Sequence, residues 1–226
     1  MIIFDVETSG LDPAKTGIVG LGAVMLPSRA EFYAEPRLVA KLDAEPGALK
    51  VNGFTEEQLR DRGRPPMHLV LKDFVKWAEK ADDMILSGWN GAFDFRFLRA
   101  EFDREGLDFP FGYRLVDLHT LAYYFFRVRD NWTPMHDGIS TVGLNYTLKK
   151  LGLPPEPEPH NALTGAKCNL LVLETITKML RYEAPVALDE PKGLEIAQPG
   201  EPIVVVQAHL AGIGDPDYDA WLARQE

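Results

Sequence analysis

The chain has 226 residues, 46% of them hydrophobic and 26% charged, a balance that lets one domain bury a full core. Its 34 acidic against 24 basic residues give a net charge of −10, which argues against broad wrapping of duplex nucleic acid but leaves room for a site that meets phosphate through bound cations. The single cysteine, Cys168, excludes an internal disulfide, and neither a secretory leader nor a bilayer-length apolar run is visible, so a reducing, cytoplasmic setting without membrane contact is expected.

Three strands are expected first, over residues 2–8, 18–26 and 32–39, separated by turns containing Gly, Pro and Asp as in an antiparallel meander. Val51-Asn52-Gly53-Phe54 reads as a turn, and Thr55-Glu56-Glu57-Gln58 has the spacing of a capping box. Pro65-Pro66 opens a helix reaching about Lys80, with Leu69, Val70, Phe74 and Trp77 on one face. A buried strand over 84–89 runs through Asn90-Gly91-Ala92 into a helix carrying Phe93, Asp94, Phe97 and Leu98. Residues 114–117 form a short strand, 118–126 an apolar helix, 131–141 a loop, and Leu144, Leu148 and Leu151 a helix ending near Gly152. Pro154, Pro155, Pro157 and Pro159 keep the chain extended before a long helix over 161–181, with His160 at its start. Strands alternating with helices after a meander imply an α/β domain with a mixed central sheet covered on both faces. Residues 1–183 are assigned to that domain. Residues 184–226 are a Pro-spaced extension whose β-prone Ile203-Val204-Val205-Val206 suits an edge strand or a contact with a second subunit.

Asp5 and Glu7 lie two apart in the apolar run Ile2-Ile3-Phe4-Asp5-Val6-Glu7 and therefore share a strand face, where bare carboxylates are costly unless cations neutralise them. Hard oxygen donors favour Mg²⁺ or Mn²⁺ over zinc, and no cysteine cluster offers a soft alternative. Taken singly, Asp94 could merely cap its helix and His160 could be a neutral residue after Pro159. The other histidines, His68, His119, His136 and His209, read as ordinary surface or core residues. Arg127, Arg129, Lys149, Lys150 and Lys167 could guide a short strand or simply be solvated.

Three segments in order, Asp5-Val6-Glu7-Thr8-Ser9-Gly10-Leu11, Asn90-Gly91-Ala92-Phe93-Asp94 and His160-Asn161-Ala162-Leu163-Thr164-Gly165-Ala166, resemble the DEDD superfamily of 3′–5′ exonucleases. The branch is the histidine-containing DEDDh one, which includes the proofreading exonuclease subunit of DNA polymerase III, RNase T and oligoribonuclease. The resemblance covers roughly residues 2–178. It implies an RNase H-like fold and metal-dependent removal of nucleotides from a 3′ end of single-stranded or short DNA or RNA. It further implies that Asp5 bridges two metal ions, that Glu7 ligates one, that Asp94 holds the second and that His160 is the general base. Thr8, Leu11 and Asn90 fall where the terminal nucleotide is gripped. A homodimer or a polymerase or repair partner would fit such a protein.

The same resemblance exposes a departure. Five residues after the histidine the family has an Asp that ligates a metal, and here that place is Gly165. Asn161, Thr164 and Asn169 are uncharged and Glu158 sits on the extended segment, so three site carboxylates are expected instead of four. Two readings follow: an exonuclease with one or two Mg²⁺ or Mn²⁺ ions and reduced activity, or an impaired module that binds a nucleic-acid end and supports a partner.

Overall fold

A computed structural model describes residues 1–130 and 134–182, all within one compact unit, Met1–Ala184. Its five-stranded sheet has the order β3-β2-β1-β4-β5, built from β1 (Ile2–Thr8), β2 (Ile18–Met25), β3 (Glu31–Ala34), β4 (Leu86–Gly88) and β5 (Leu115–Asp117). β1 lies at the centre, antiparallel to β2 and parallel to β4. The expected mixed α/β sheet is therefore observed, with β1–β2–β3 as its meander. The extension over 184–226 lies outside the described residues.

Side-chain alternation along β1 divides the core. Ile2, Phe4 and Val6 pack with Val70, Leu71 and Phe74 of α3 (Met67–Ala78) and Phe97, Leu98 and Phe102 of α4 (Ala92–Glu105). Ile3 points the other way and packs with Ala166 and Leu170 of the long final helix, Ala162–Tyr182. Asp5 and Glu7 belong to the Ile3 face by the same period of two. The strand thus fixes which helix the two acids look at.

Several element limits differ from the sequence expectation. β3 stops at Ala34 rather than 39, because Pro36 lacks the N–H a continuing ladder needs; Leu38 and Val39 instead join a small cluster with Val19, Leu42 and Leu59. A helix not expected from the sequence, α1 (Pro46–Asn52), precedes the capped turn α2 (Glu56–Leu59). Pro46 opens it, and Gly53 closes it in the left-handed region at φ 74°, the usual asymmetry of helix ends. In α3, Leu69 is 46% exposed, and Met67, Val70, Leu71, Phe74 and Ala78 form the buried face instead. α5 runs on to Asp130 (Leu118–Asp130). Within the expected loop, Met135–His136 (β6) and Ile139–Ser140 (β7) pair as a small hairpin. α6 spans Leu144–Lys150, and the final helix is α7.

One buried ion pair ties the turn after β1 to α4. Glu101, 2% exposed, accepts hydrogen bonds from the Ile18 N–H at 3.0 Å and from Arg104 at 3.1 and 2.6 Å. Arg104 donates onward to the carbonyls of Pro13 and Thr16. Every charge in this group has a partner, as burial requires.

Candidate active site

The site is assembled where α7 crosses β1 and β2. Asp5 pairs with Gly22 across the antiparallel ladder, and Glu7 with Gly20. A Cβ at Gly22 would stand 2.2 Å from both the Ala162 carbonyl carbon and the Leu163 nitrogen, a separation no side chain tolerates. The bare strand lets the first turn of α7 lie directly on β2 beside the acids. That close approach brings Gly165 against Asp5.

Asp94 enters from the other side, in the first turn of α4, 5% exposed. Its Oδ1 accepts a hydrogen bond from the Val6 N–H at 3.2 Å, between the two acids of β1. The turn that delivers it bends at Asn90, which is exposed and adopts φ 49°, a conformation asparagine tolerates better than most residues. Asp117, at the end of β5, fixes this turn by accepting from the Gly91 N–H at 3.1 Å while also accepting from Thr120. Asp117 was not singled out by sequence, since its role is visible only once β5 lies beside β4.

A fourth acid is present. Glu156 sits on the extended Pro-rich segment, its side chain only 8% exposed, and it faces the space above Gly165. A Cβ built on Gly165 would lie 2.3 Å from Asp5 Oδ2 and 3.2 Å from Glu156 Oε1, so both carboxylates crowd one point. Glu156, which was not among the three acids expected from sequence, therefore lies beside them. Spacing along the chain does not reveal it, because Glu156 reaches the place through the fold-back of the segment ahead of α7. The backbone N–H of Glu156 donates to Asn145 Oδ1 of α6 at 2.9 Å, and Pro155 and Pro157 restrict the chain on either side.

His160 is partly exposed at the mouth of the cluster, with Nδ1 4.0 Å from Glu156 Oε2. Its backbone N–H donates to the Val51 carbonyl at 3.3 Å. Asn52, 4% exposed, donates from Nδ2 to the Thr8 carbonyl at 3.1 Å, so the unexpected helix α1 braces both the end of β1 and the histidine segment. Residues 51–54, read from sequence as a turn, are the end of that brace.

The electrostatics reflect crowding of like charge. Burial, then Asp94, Glu7 and Glu156, hold the Asp5 carboxyl well above its ordinary range. Burial and Glu156 push Glu7 up to about 7. Burial raises Asp94 to about 8, with Glu7 and Asp117 adding and the hydrogen bond from Val6 opposing. Glu156 is raised by its own burial, with His160 opposing. Like-charged carboxylates sharing a site behave so until a cation arrives. Among the described residues no three His, Cys, Asp or Glu side chains are placed to hold a metal ion as they stand. The donors on offer are all carboxylate oxygens, the chemistry that suits a hard divalent ion.

The softer sequence assignments separate. Leu11 is 73% exposed beside the cluster-bearing strand. Thr8 is buried, its hydroxyl donating to the Gly10 carbonyl at 2.7 Å. Of the basic residues, Lys167 is paired with Glu31 at 2.9 Å and Arg129 with Asp130 at 2.7 Å. Among the described residues no helix is long and apolar enough to cross a membrane.

Comparison with known proteins matches this arrangement. Residues 2–173 fit the family model described as Exonuclease. The chain is 27% identical over 197 residues to the PolC-type DNA polymerase III of Thermotoga maritima, covering 86% of this chain and 13% of the polymerase. It is 29% identical over 124 residues to the 3′–5′ DNA exonuclease Cap18 of Escherichia coli, covering 53% of this chain and 65% of that one. The fold superposes on E. coli Exonuclease I in complex with a 5cy-dT13 oligonucleotide, with a TM-score of 0.65 at 18% identity, over 80% of this chain and 41% of that one. It also superposes on the nuclease domain of 3′hExo, a DEDDh family member bound to rAMP, with a TM-score of 0.61 at 18% identity, over 80% of this chain and 92% of that domain. An RNase H-like sheet whose central strand carries two acids toward a helix headed by a histidine, matched over residues 2–173, makes this chain a member of the exonuclease family.

Proposed function

We propose that this chain is a 3′–5′ exonuclease that hydrolyses nucleotides from the end of single-stranded or short nucleic acid, using Mg²⁺ or Mn²⁺. The observation that carries the reading is the gathering of Asp5, Glu7 and Asp94 at the foot of α7 with their charges uncompensated. Membership of the exonuclease family supports the reaction class. The likeness to Cap18, named a 3′–5′ DNA exonuclease, supports the polarity. The likeness to Exonuclease I bound to an oligonucleotide supports a single-stranded substrate.

Asp5, Glu7 and Asp94 would hold the cations. The chemistry such ions would supply there is polarisation of the scissile phosphate and stabilisation of the attacking and leaving oxygens. His160 has Nδ1 turned to Glu156, which leaves Nε2 to take the proton of the attacking water. Leu11 offers an exposed apolar surface for the terminal base, and Asn90 a polar side chain at the turn before α4. The matched relative is itself a PolC-type DNA polymerase III, of which this chain covers 13%, so a polymerase or repair partner is the interaction to look for.

The test is digestion of 5′-labelled single-stranded DNA and RNA with Mg²⁺, Mn²⁺ or EDTA. A ladder shortening from the 3′ end, lost in EDTA and in Asp94→Asn, is expected. Intact substrate under every metal condition, with retained binding of the labelled strand, would instead establish an end-binding module.

A further inference from the structure

Gly165 removes an acid from the place where the family's pattern has one, yet the space it opens is filled by carboxylate. Asp5 Oδ2 and Glu156 Oε1 both lie within 3.2 Å of the point a Cβ would occupy there. We infer that Glu156 supplies from the Pro-rich segment the carboxylate that α7 lacks at Gly165, and acts as a ligand to the cation shared with Asp5. The inference rests on the proposed cation site and adds a residue to it.

Two features of Glu156 go beyond membership of an acidic cluster. Its side chain is more than nine-tenths buried and, among the described residues, accepts no hydrogen bond; the nearest cationic candidate, His160 Nδ1, stands at 4.0 Å. A carboxylate buried this way is costly unless something binds it. Second, its backbone is held in place, clamped by Pro155 and Pro157 and by the hydrogen bond to Asn145, so presenting the acid loses little conformational entropy.

Gly165 and Glu156 are then one exchange rather than a loss. With a side chain at 165, Asp5 could not keep its present position, since its oxygen would stand 2.3 Å from the new Cβ. With glycine there, Asp5 and Glu156 can both close on one ion. The alternative role for Glu156, orienting His160 through Nδ1, makes no demand on metal affinity.

The experiment is Mn²⁺ titration of the full chain by electron paramagnetic resonance, with four variants beside the wild type. Glu156→Gln is expected to weaken the tightest Mn²⁺ site at least ten-fold. Glu158→Gln, on the same segment but exposed, should leave it unchanged. Gly165→Asp alone should gain little, because the position is already crowded. The double variant Glu156→Gln/Gly165→Asp should bind Mn²⁺ more tightly than Glu156→Gln alone, the new carboxylate outweighing the shift its Cβ forces on Asp5. Unchanged Mn²⁺ binding in Glu156→Gln, with a displaced pH profile of hydrolysis, would make Glu156 a positioning residue for His160 and overturn the inference. A double variant no tighter than Glu156→Gln would remove the claim of replacement. Absence of Mn²⁺ uptake by the wild type would overturn the cation site itself, and Mn²⁺ uptake without hydrolysis would overturn the exonuclease reading while leaving Glu156 as a ligand.

Discussion

A lone buried carboxylate, Glu101, and the acid cluster around Asp5 are handled in opposite ways, although α4 carries both Glu101 and Asp94. Glu101 is met by Arg104 and by the Ile18 N–H, so its charge is settled within the chain. Asp5, Glu7, Asp94 and Glu156 share burial with one another and with no arginine or lysine, and the consequence is raised carboxyls throughout. Burial of an acid is therefore not what marks the site. The mark is burial without a protein cation, beside a histidine at the open side.

The comparison can be broken by making the same chemical change on both sides. Glu101→Gln should cost about 3–5 kcal/mol, because it leaves Arg104 buried without its counter-charge; denaturant unfolding will read this directly. Asp94→Asn should lower kcat for 3′-end hydrolysis on the order of 10³-fold, yet leave the metal-free protein as stable as wild type or more so, since it removes a like charge. Equal destabilisation by the two changes would mean that the acids near α7 are paired after all.

Stability against pH sharpens the contrast. Glu7 is raised from 4.5 to about 7 and Asp94 from 3.8 to about 8, so between those limits the folded chain holds protons that the unfolded chain has released. Stability in EDTA should thus be full below about pH 4 as far as these groups are concerned, and fall as pH rises to about 8, by about 3 kcal/mol for Glu7 alone. Saturating Mn²⁺ should abolish that fall. Thermal melts from pH 5 to 8, with EDTA or Mn²⁺, provide the measurement, and a metal-free Tm that rises over this range would contradict the shared-burial account. The smallest effect is expected at Leu11, exposed outside both groups: Leu11→Ala should raise KM for an oligonucleotide a few-fold, about 1 kcal/mol, with kcat near wild type.

Much of this was legible in the sequence because it depends on period. The alternation of Ile2 to Glu7 places both acids on one face, and His160 ahead of an uninterrupted helical stretch places it at a helix start. Glu156 was not legible. Pro155 and Pro157 declare an extended backbone but not the direction in which it returns, and the acid's value depends on a glycine nine residues later. α1 escaped because Val51 and Lys50 are exposed, so the helix shows no apolar stripe; its only signals were Pro46 and Gly53. The length of β3 was overestimated because apolar Leu38 and Val39 serve a different cluster beyond Pro36.

Gly22 carries a consequence for how relatives of this chain are sorted. It has no side chain to donate or accept, yet its missing Cβ sets how near α7 comes to β2. A homologue could retain every acid and the histidine and still, with alanine at this position, hold its two catalytic halves out of register. Sorting by polar motif alone would class that homologue as competent, so the glycine paired with Asp5 belongs in any signature meant to separate working enzymes from silent ones.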